Sequence, residues 1–281
     1  MERVSPSRWK TPSARDVWRE VRASYAFVER NFFLVRRYWG WEIAFLIFNI
    51  TSSLSVMYIG KAQGTDNTNL ILYLGIGTVV WAYLRAVFSN ISEMIVWERW
   101  EGTIEYTMMA PISRLTHMLG VALFSIVYGI LRTALLLVAL SFFFDINLSG
   151  ANIGGSLLII LIGSLSFVGV GIMAAVLPLL FTERGEEMTF IISSLLLLVS
   201  GVYYPVSVLP GWMQAAAHIS PATYVLEGMR ATVLDGTSTS HLGQYVLPMA
   251  IIGALTIPLG MGVFTIVERY AKRTGRLKRS G

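Results

Sequence analysis

Six stretches of this chain, 43–60, 67–84, 115–131, 146–182, 188–226 and 236–267, contain no Asp, Glu, Lys or Arg. A helix needs about 20 mainly apolar residues to cross the ~30 Å hydrocarbon layer of a bilayer, and every gap is of that order or longer. A soluble domain of 281 residues does not leave such gaps; here 54% of the residues are hydrophobic and only 14% charged. A transmembrane barrel would show short segments of alternating hydrophobicity instead. Barrel and disordered classes are excluded, and the absence of cysteine removes the disulfide-rich secreted class, thiolate metal sites and thiol nucleophiles.

The gaps predict an all-α polytopic membrane protein with six transmembrane helices, roughly 41–60, 69–89, 115–143, 153–181, 188–206 and 243–267. Residues 1–40 then form a cytoplasmic N-terminal segment, 41–267 the membrane domain and 268–281 a basic cytoplasmic tail. An even number of spans puts both termini on one side. The loops and ends of that side carry eighteen Lys and Arg, against Lys61 and Arg230 opposite, so both termini are expected in the cytoplasm of a cell-membrane protein. The remaining two, Arg85 and Arg132, fall inside spans, Arg85 near a cytoplasmic end and Arg132 towards the middle of the third. Because the basic residues flank spans, the net charge of +5 points to anionic lipid and away from nucleic acid. The first 40 residues are polar and Arg-rich with no early apolar core. They do not read as a secretory signal, and the first hydrophobic segment is expected to stay as a span.

Before that span, Pro12 and Ser13 look like a helix start, and Val17, Val21, Tyr25, Val28, Phe32 and Val35 recur at steps of three or four. This apolar stripe, with Arg15, Arg19, Arg22 and Arg30 on other faces, suits an amphipathic helix on the inner leaflet or one packed against another protein domain. Between spans five and six, Pro205, Pro210 and Pro221 break an uncharged run into pieces too short to cross. They predict short helices at about 210–219 and 221–233, the second with Ser220 as cap and Pro221 in its first turn. The segment 207–235 is expected to dip into the outer leaflet, with Tyr203, Tyr204, Trp212 and Tyr224 at interfacial depth.

The chain has no phosphate-binding loop of the GxxxxGK[ST] type and no HExxH or GxSxG motif. His117, His218 and His241 are scattered, so no metal cluster is expected and each reads as an interfacial or loop histidine. No carboxylate lies near a span centre for proton coupling. The richest polar constellation is the loop 91–114. Glu98, Glu101 and Glu105 fall at i, i+3 and i+7, so a continuous helix would carry one acidic face, backed by Met94, Trp97, Ile104 and Met108. Such a helix either docks into a soluble partner or merely connects two spans.

The string Glu98-Arg99-Trp100-Glu101-Gly102-Thr103-Ile104-Glu105, followed by Ala110-Pro111-Ile112-Ser113-Arg114, resembles the cytoplasmic loop of ABC-2 type exporter permeases. Ser200-Gly201-Val202-Tyr203-Tyr204-Pro205, then Leu209-Pro210-Gly211-Trp212, Ser220-Pro221, Glu227-Gly228-Met229-Arg230 and Asp235-Gly236, resembles the region around that family's fifth span and re-entrant helices. The resemblance implies a permease subunit with no catalytic site or cofactor of its own. It would work with a second permease chain, as homodimer or heterodimer, and with two ATPase subunits that hold ATP and Mg. It assigns Glu98, Arg99, Glu101 and Glu105 to an ATPase-coupling helix, and Tyr204, Pro205, Leu209, Pro210, Trp212, Pro221, Glu227 and Arg230 to an outer gate or a static plug. The loop 182–187 would be a second, smaller ATPase contact or a solvated turn.

Glu227 and Arg230, three apart on one helical face, are expected to pair with each other. Asn49, Ser52, Ser53 and Arg132 are possible pathway-lining residues, although the hydroxyls on the first span equally suit interhelical hydrogen bonds. Arg132 must face inward, held by carbonyls or a polar side chain, bordering a hydrated cavity, or snorkelling. Gly163, Ser164, Ser166, Gly169 and Gly171 permit close helix approach. Few charges suit a hydrophobic or amphipathic cargo, a drug or lipid-like compound moved by multidrug-type efflux, with polysaccharide or glycolipid export as the alternative within the family. An ion-coupled carrier and a lipid-modifying membrane enzyme are the rivals from other classes.

Overall fold

The computed structural model describes residues 14–63, 68–144 and 149–274, with side chains from Trp18 onward. Pro12, Ser13, the Val17 side chain and residues 275–281 of the basic tail lie outside them. The described residues contain helices and no strands. In chain order these are α1 (Ala14–Arg37), α2 (Trp39–Ala62), α3 (Thr68–Ser92), α4 (Met94–Glu101), α5 (Ile104–Met109), α6 (Arg114–Ser141), α7 (Ile153–Ala174), α8 (Val176–Leu180), α9 (Gly185–Val199), α10 (Gly211–Ile219), α11 (Pro221–Val233) and α12 (Gly243–Arg273).

Five helical stretches are long and apolar enough to cross a membrane: α2, α3, α6, the run from α7 through α8, and α12. The helix in the fifth expected span, α9, has 15 residues, about 22 Å at 1.5 Å per residue and short of a ~30 Å core. It ends where Gly201 adopts φ 71°, a left-handed conformation that glycine takes without a steric penalty.

The packed centre is α3 and α7. Helix α7 lies along α12 and also meets α11, while α3 is flanked by α2, α6, α7 and α11. Small residues set these distances, as expected. A Cβ at Gly169 would collide with Thr256, one at Gly163 with Val225 and one at Gly171 would press on Ile91. Helix α2 is different: Trp39, Trp41, Ile43, Phe45, Ile47 and Phe48 all point outward, as a lipid-facing helix requires.

Helices α2 and α6 run side by side in the same direction, for Glu42 meets Tyr128 at the start of α2 and Tyr58 stacks near Phe144 at its end. Helix α1 lies along the first half of α6. At Gly120 a Cβ would come within 2.6 Å of the Ser24 carbonyl and 2.7 Å of Phe27. With that side of α1 against α6, part of the predicted apolar stripe turns the other way: Val21, Tyr25 and Phe32 are exposed, while Val28 and Val35 are half-buried.

Candidate functional site

At one end of the molecule the chain leaves α3 and makes an elbow of two short helices before entering α6. Helix α4 stops because Gly102 takes φ 73°, with its N–H bonded to Arg99 O at 3.1 Å and the Thr103 N–H to Glu98 O at 2.8 Å. This is the Schellman arrangement, in which a left-handed glycine closes the last turn. The break divides the predicted acidic face. Glu98 is only 2% exposed, Glu101 is half-buried and Glu105 alone faces solvent on the second helix.

The acids of α4 turn inward to distant partners. Glu98 Oε1 accepts from Arg30 at 2.7 Å and stands 3.0 Å from His117 Nε2. His117 is 1% exposed, a buried junction residue and not the interfacial one expected. Burial by itself pushes the Glu98 pKa up, but His117 and Arg30 outweigh it and hold the carboxyl below its usual value. Glu101 accepts from Tyr38 at 2.8 Å and lies 3.5 Å from Arg37. Arg99, also buried, donates to the carbonyls of Pro178 and Leu179 at the end of α8. Arg114 donates to Thr107 O and Met108 O at 2.9 and 2.7 Å and pairs with Glu268 of α12 at 2.9 Å.

With its charges used internally, the elbow presents an apolar outer surface. Trp100 is 57% exposed, Tyr106 75% and Met109 74%, with Trp97 beside them. Met94, Ile104 and Met108 lie in the core. The apolar backing is inside as expected at Met94, Ile104 and Met108; Glu98 departs from the expected acidic face by turning inward, and Trp97 by turning outward. The loop Thr182, Glu183 and Arg184 is solvated at the same end. Glu93, where α3 meets α4, has its pKa raised to about 7 by burial and by the nearby Glu186.

At the opposite end the short helices sit as the prolines predicted, α10 and then α11 with Ser220 before it and Pro221 at its first position. Ser220 shares a 2.8 Å hydrogen bond with Ser200. Arg230 does not pair with Glu227. It donates to Gly201 O at 2.9 Å and Val202 O at 2.7 Å, and its guanidinium lies 3.5 Å from the centre of the Tyr73 ring. These carbonyls lie in the turn just beyond α9, where no helical donor reaches them, so the planar fork satisfies two acceptors that a carboxylate could not. A Cβ at Gly77 of α3 would collide with Val202 O.

Tyr204 donates to Leu198 O at 2.6 Å, while Pro205, Pro210 and Trp212 are exposed and Leu209 half-buried. Arg230, Glu227, Asp235, Tyr73 and Tyr245 line an open cleft of about 330 Å³.

Of the four pathway candidates, Asn49 and Arg132 border one small cavity between α2, α3 and α6, whereas Ser52 and Ser53 do not line it. Asn49 donates to Phe45 O on its own helix at 2.7 Å, Ser52 is exposed and Ser53 buried, on different faces of α2. Arg132 pairs with Glu42 at 3.6 Å, and Tyr128 donates to the same carboxylate oxygen at 2.8 Å. Of the expected outcomes for Arg132, a polar side-chain partner is the one observed. The sequence reading missed Arg30, His117 and Glu268 because each lies far along the chain from the elbow residue it touches.

The sequence pattern of the ABC-2 type transporter family matches residues 22–234, which takes in the elbow and both short helices of the opposite end. The chain belongs to the ABC-2 type transporter family. It is similar to the inner membrane transport permease YadH of Escherichia coli, with 24% identity over 185 residues, 66% of this chain and 70% of that protein. The YadH permease of Shigella flexneri matches with the same figures. The ABC-2 chain is therefore a membrane transport subunit, multi-pass and of the inner-membrane type, which works with ABC ATPases.

Proposed function

We propose that this chain is the permease half of an ATP-driven exporter, paired with a second permease chain and two ATPase subunits. It moves a hydrophobic or amphipathic, drug or lipid-like substrate outward by alternating access. The observation that carries the reading is the elbow: an exposed Trp100, Tyr106 and Met109 surface on a base braced to α1, α6, α8 and α12. Aromatic and methionine side chains on a rigid support are what a soluble partner's groove anchors on. We place the elbow and both termini in the cytoplasm, with α9 as a short sixth crossing, on the strength of the basic asymmetry. Glu98, Arg99 and Glu101 serve this helix as its bracing, and Glu105 belongs to its contact surface. The segment from Tyr204 to Arg230 forms the outer gate.

The test is the double variant Trp100→Ala, Tyr106→Ala. The permease should insert and fold, since neither side chain is in the core, yet lose co-purification with its ATPase and substrate-stimulated hydrolysis. Normal ATPase association and transport would sink the reading.

A further inference from the structure

Arg85 is the one exposed residue of α3 between Leu70 and Ser92. Its neighbours Tyr83, Leu84, Val87 and Phe88 are in the core. The depth of this stretch follows from the small cavity that Ala82 and Ala86 of α3 line together with Leu46 and Asn49 of α2. Those two follow Glu42 in the charge-free run 43–60, roughly 6–10 Å beyond it at 1.5 Å per residue. Arg85 therefore leaves α3 within the hydrocarbon layer, at the level of Arg132.

The surroundings of the two arginines differ. Arg132 pairs with Glu42. Among the described residues Arg85 has neither ion pair nor hydrogen bond, and its guanidinium lies 5.3 Å from the centre of the Phe190 ring, one turn of α9 past Glu186. The ring steadies the charge without engaging its N–H donors. Glu93 and Tyr203 feel the charge but stand outside ion-pair and hydrogen-bond distance. An arginine at this depth calls for water or a negative partner. A second copy of this chain cannot bring a carboxylate to it, since the charge-free runs hold none. A cation is repelled, and a molecule without an acidic group makes no use of the charge. Phe190, Ser194 and Leu198, spaced four apart along α9, share a face and are exposed. One positive charge beside a mainly apolar strip matches a molecule with an acidic group on an apolar body.

We infer that the exposed face of α3 and α9 binds an amphipathic anion, its acidic group on Arg85 and its apolar body along Phe190 and Leu198. This deepens the transport reading by giving the amphipathic substrate a charge, and it rests on that reading only where the bound molecule is cargo. An acidic phospholipid of the bilayer offers the same chemistry, and one titration separates the two sources. The full-length chain without its ATPase, in neutral maltoside detergent, is titrated with fluorescent dansyl-undecanoic acid and with its uncharged methyl ester. With no ATPase present, the outcome is independent of the Trp100 and Tyr106 test.

The acid should bind about tenfold more tightly than the ester, the value of one charge-assisted contact. Arg85→Gln should bring the two within about twofold, and Arg85→Lys, which keeps the charge, should retain the preference. Arg22→Gln, at an exposed arginine of α1, should leave it unchanged. Displacement of the acid by an equimolar amount of phosphatidylglycerol supports the site and assigns it to lipid; resistance to displacement supports it and assigns it to a single-chain amphipath. Equal binding of acid and ester by the unaltered chain, a preference that persists in Arg85→Gln, or an equal loss in Arg22→Gln leaves Arg85 merely solvated and overturns the inference.

Discussion

The two ends of this permease use the same device and differ in everything around it. At the elbow Arg99 donates to Pro178 O and Leu179 O; at the opposite end Arg230 donates to Gly201 O and Val202 O. Arg99 closes the last turn of α8, and Arg230 holds the turn that follows α9. Around Arg99 the other bonds are ionic and reach across the fold, Arg30 to Glu98, Arg37 to Glu101, Arg114 to Glu268. Around Arg230 they are neutral and mostly local, as in Tyr204 to Leu198, Thr223 to Ala217 and Tyr224 to His218. The elbow is thus tied to other helices by charged pairs, the opposite segment by local hydrogen bonds and by the apolar packing of α11 on α3, α7 and α12. An element that receives force from outside needs the first kind of attachment, and one that opens locally needs the second.

The largest expected effect tests the ionic end. Glu98→Ala leaves Arg30 and His117 without their shared carboxylate and should cost about 3 kcal/mol, the low end for a broken buried pair because Arg30 keeps some solvent. A thermal-inactivation series in detergent measures it, and an unaltered midpoint would remove the contrast. Arg230→Lys should cost less, about 1–2 kcal/mol, since an ammonium cannot serve both carbonyls and stack on Tyr73. That loss should appear in the outer segment as faster hydrogen exchange over 200–230, with the elbow unchanged.

Third comes pH. Glu93 ionises near 7 in the folded chain, above its unfolded value, so its neutral form is the favoured one. Its stabilising contribution is full below about pH 4.5 and is lost as pH rises through 7. Glu98 has the opposite sign, contributing above the usual carboxylate value and losing that contribution in acid. Glu93→Gln should therefore flatten the stability profile between pH 5 and 8 and leave the acid limb intact. Smallest is Glu105→Lys, expected to change stability by under about 0.5 kcal/mol because the residue is exposed. Its readout is weaker ATPase association.

Helices α10 and α11 were legible in the sequence because their boundaries are chemical and local: Pro210, Ser220 and Pro221 act on their own neighbours. The elbow was legible as a place but not as a surface. Periodicity put Glu98, Glu101 and Glu105 on one face only if the helix continued, and Gly102 was the signal that it does not. No local pattern could reveal that Glu98 faces Arg30 and His117, or that Arg114 faces Glu268, since those pairings exist only after α1 and α12 have packed. The Glu227–Arg230 spacing misled for a related reason. A pair three residues apart is a surface solution, whereas Arg230 is buried beneath the carbonyls of the turn that follows α9.

Helix α3 joins the two ends directly. It runs into the elbow without an intervening loop, only Glu93 separating it from α4, and at its other end Gly77 and Tyr73 lie under Val202 and Arg230. From Tyr73 to Ser92 roughly 28 Å of stiff rod thus connects the Trp100 surface to the residues that line the cleft around Arg230. In the proposed exporter this rod is the link between the two ends, and the absence of a side chain at position 77 is what lets the Val202 carbonyl sit directly against it.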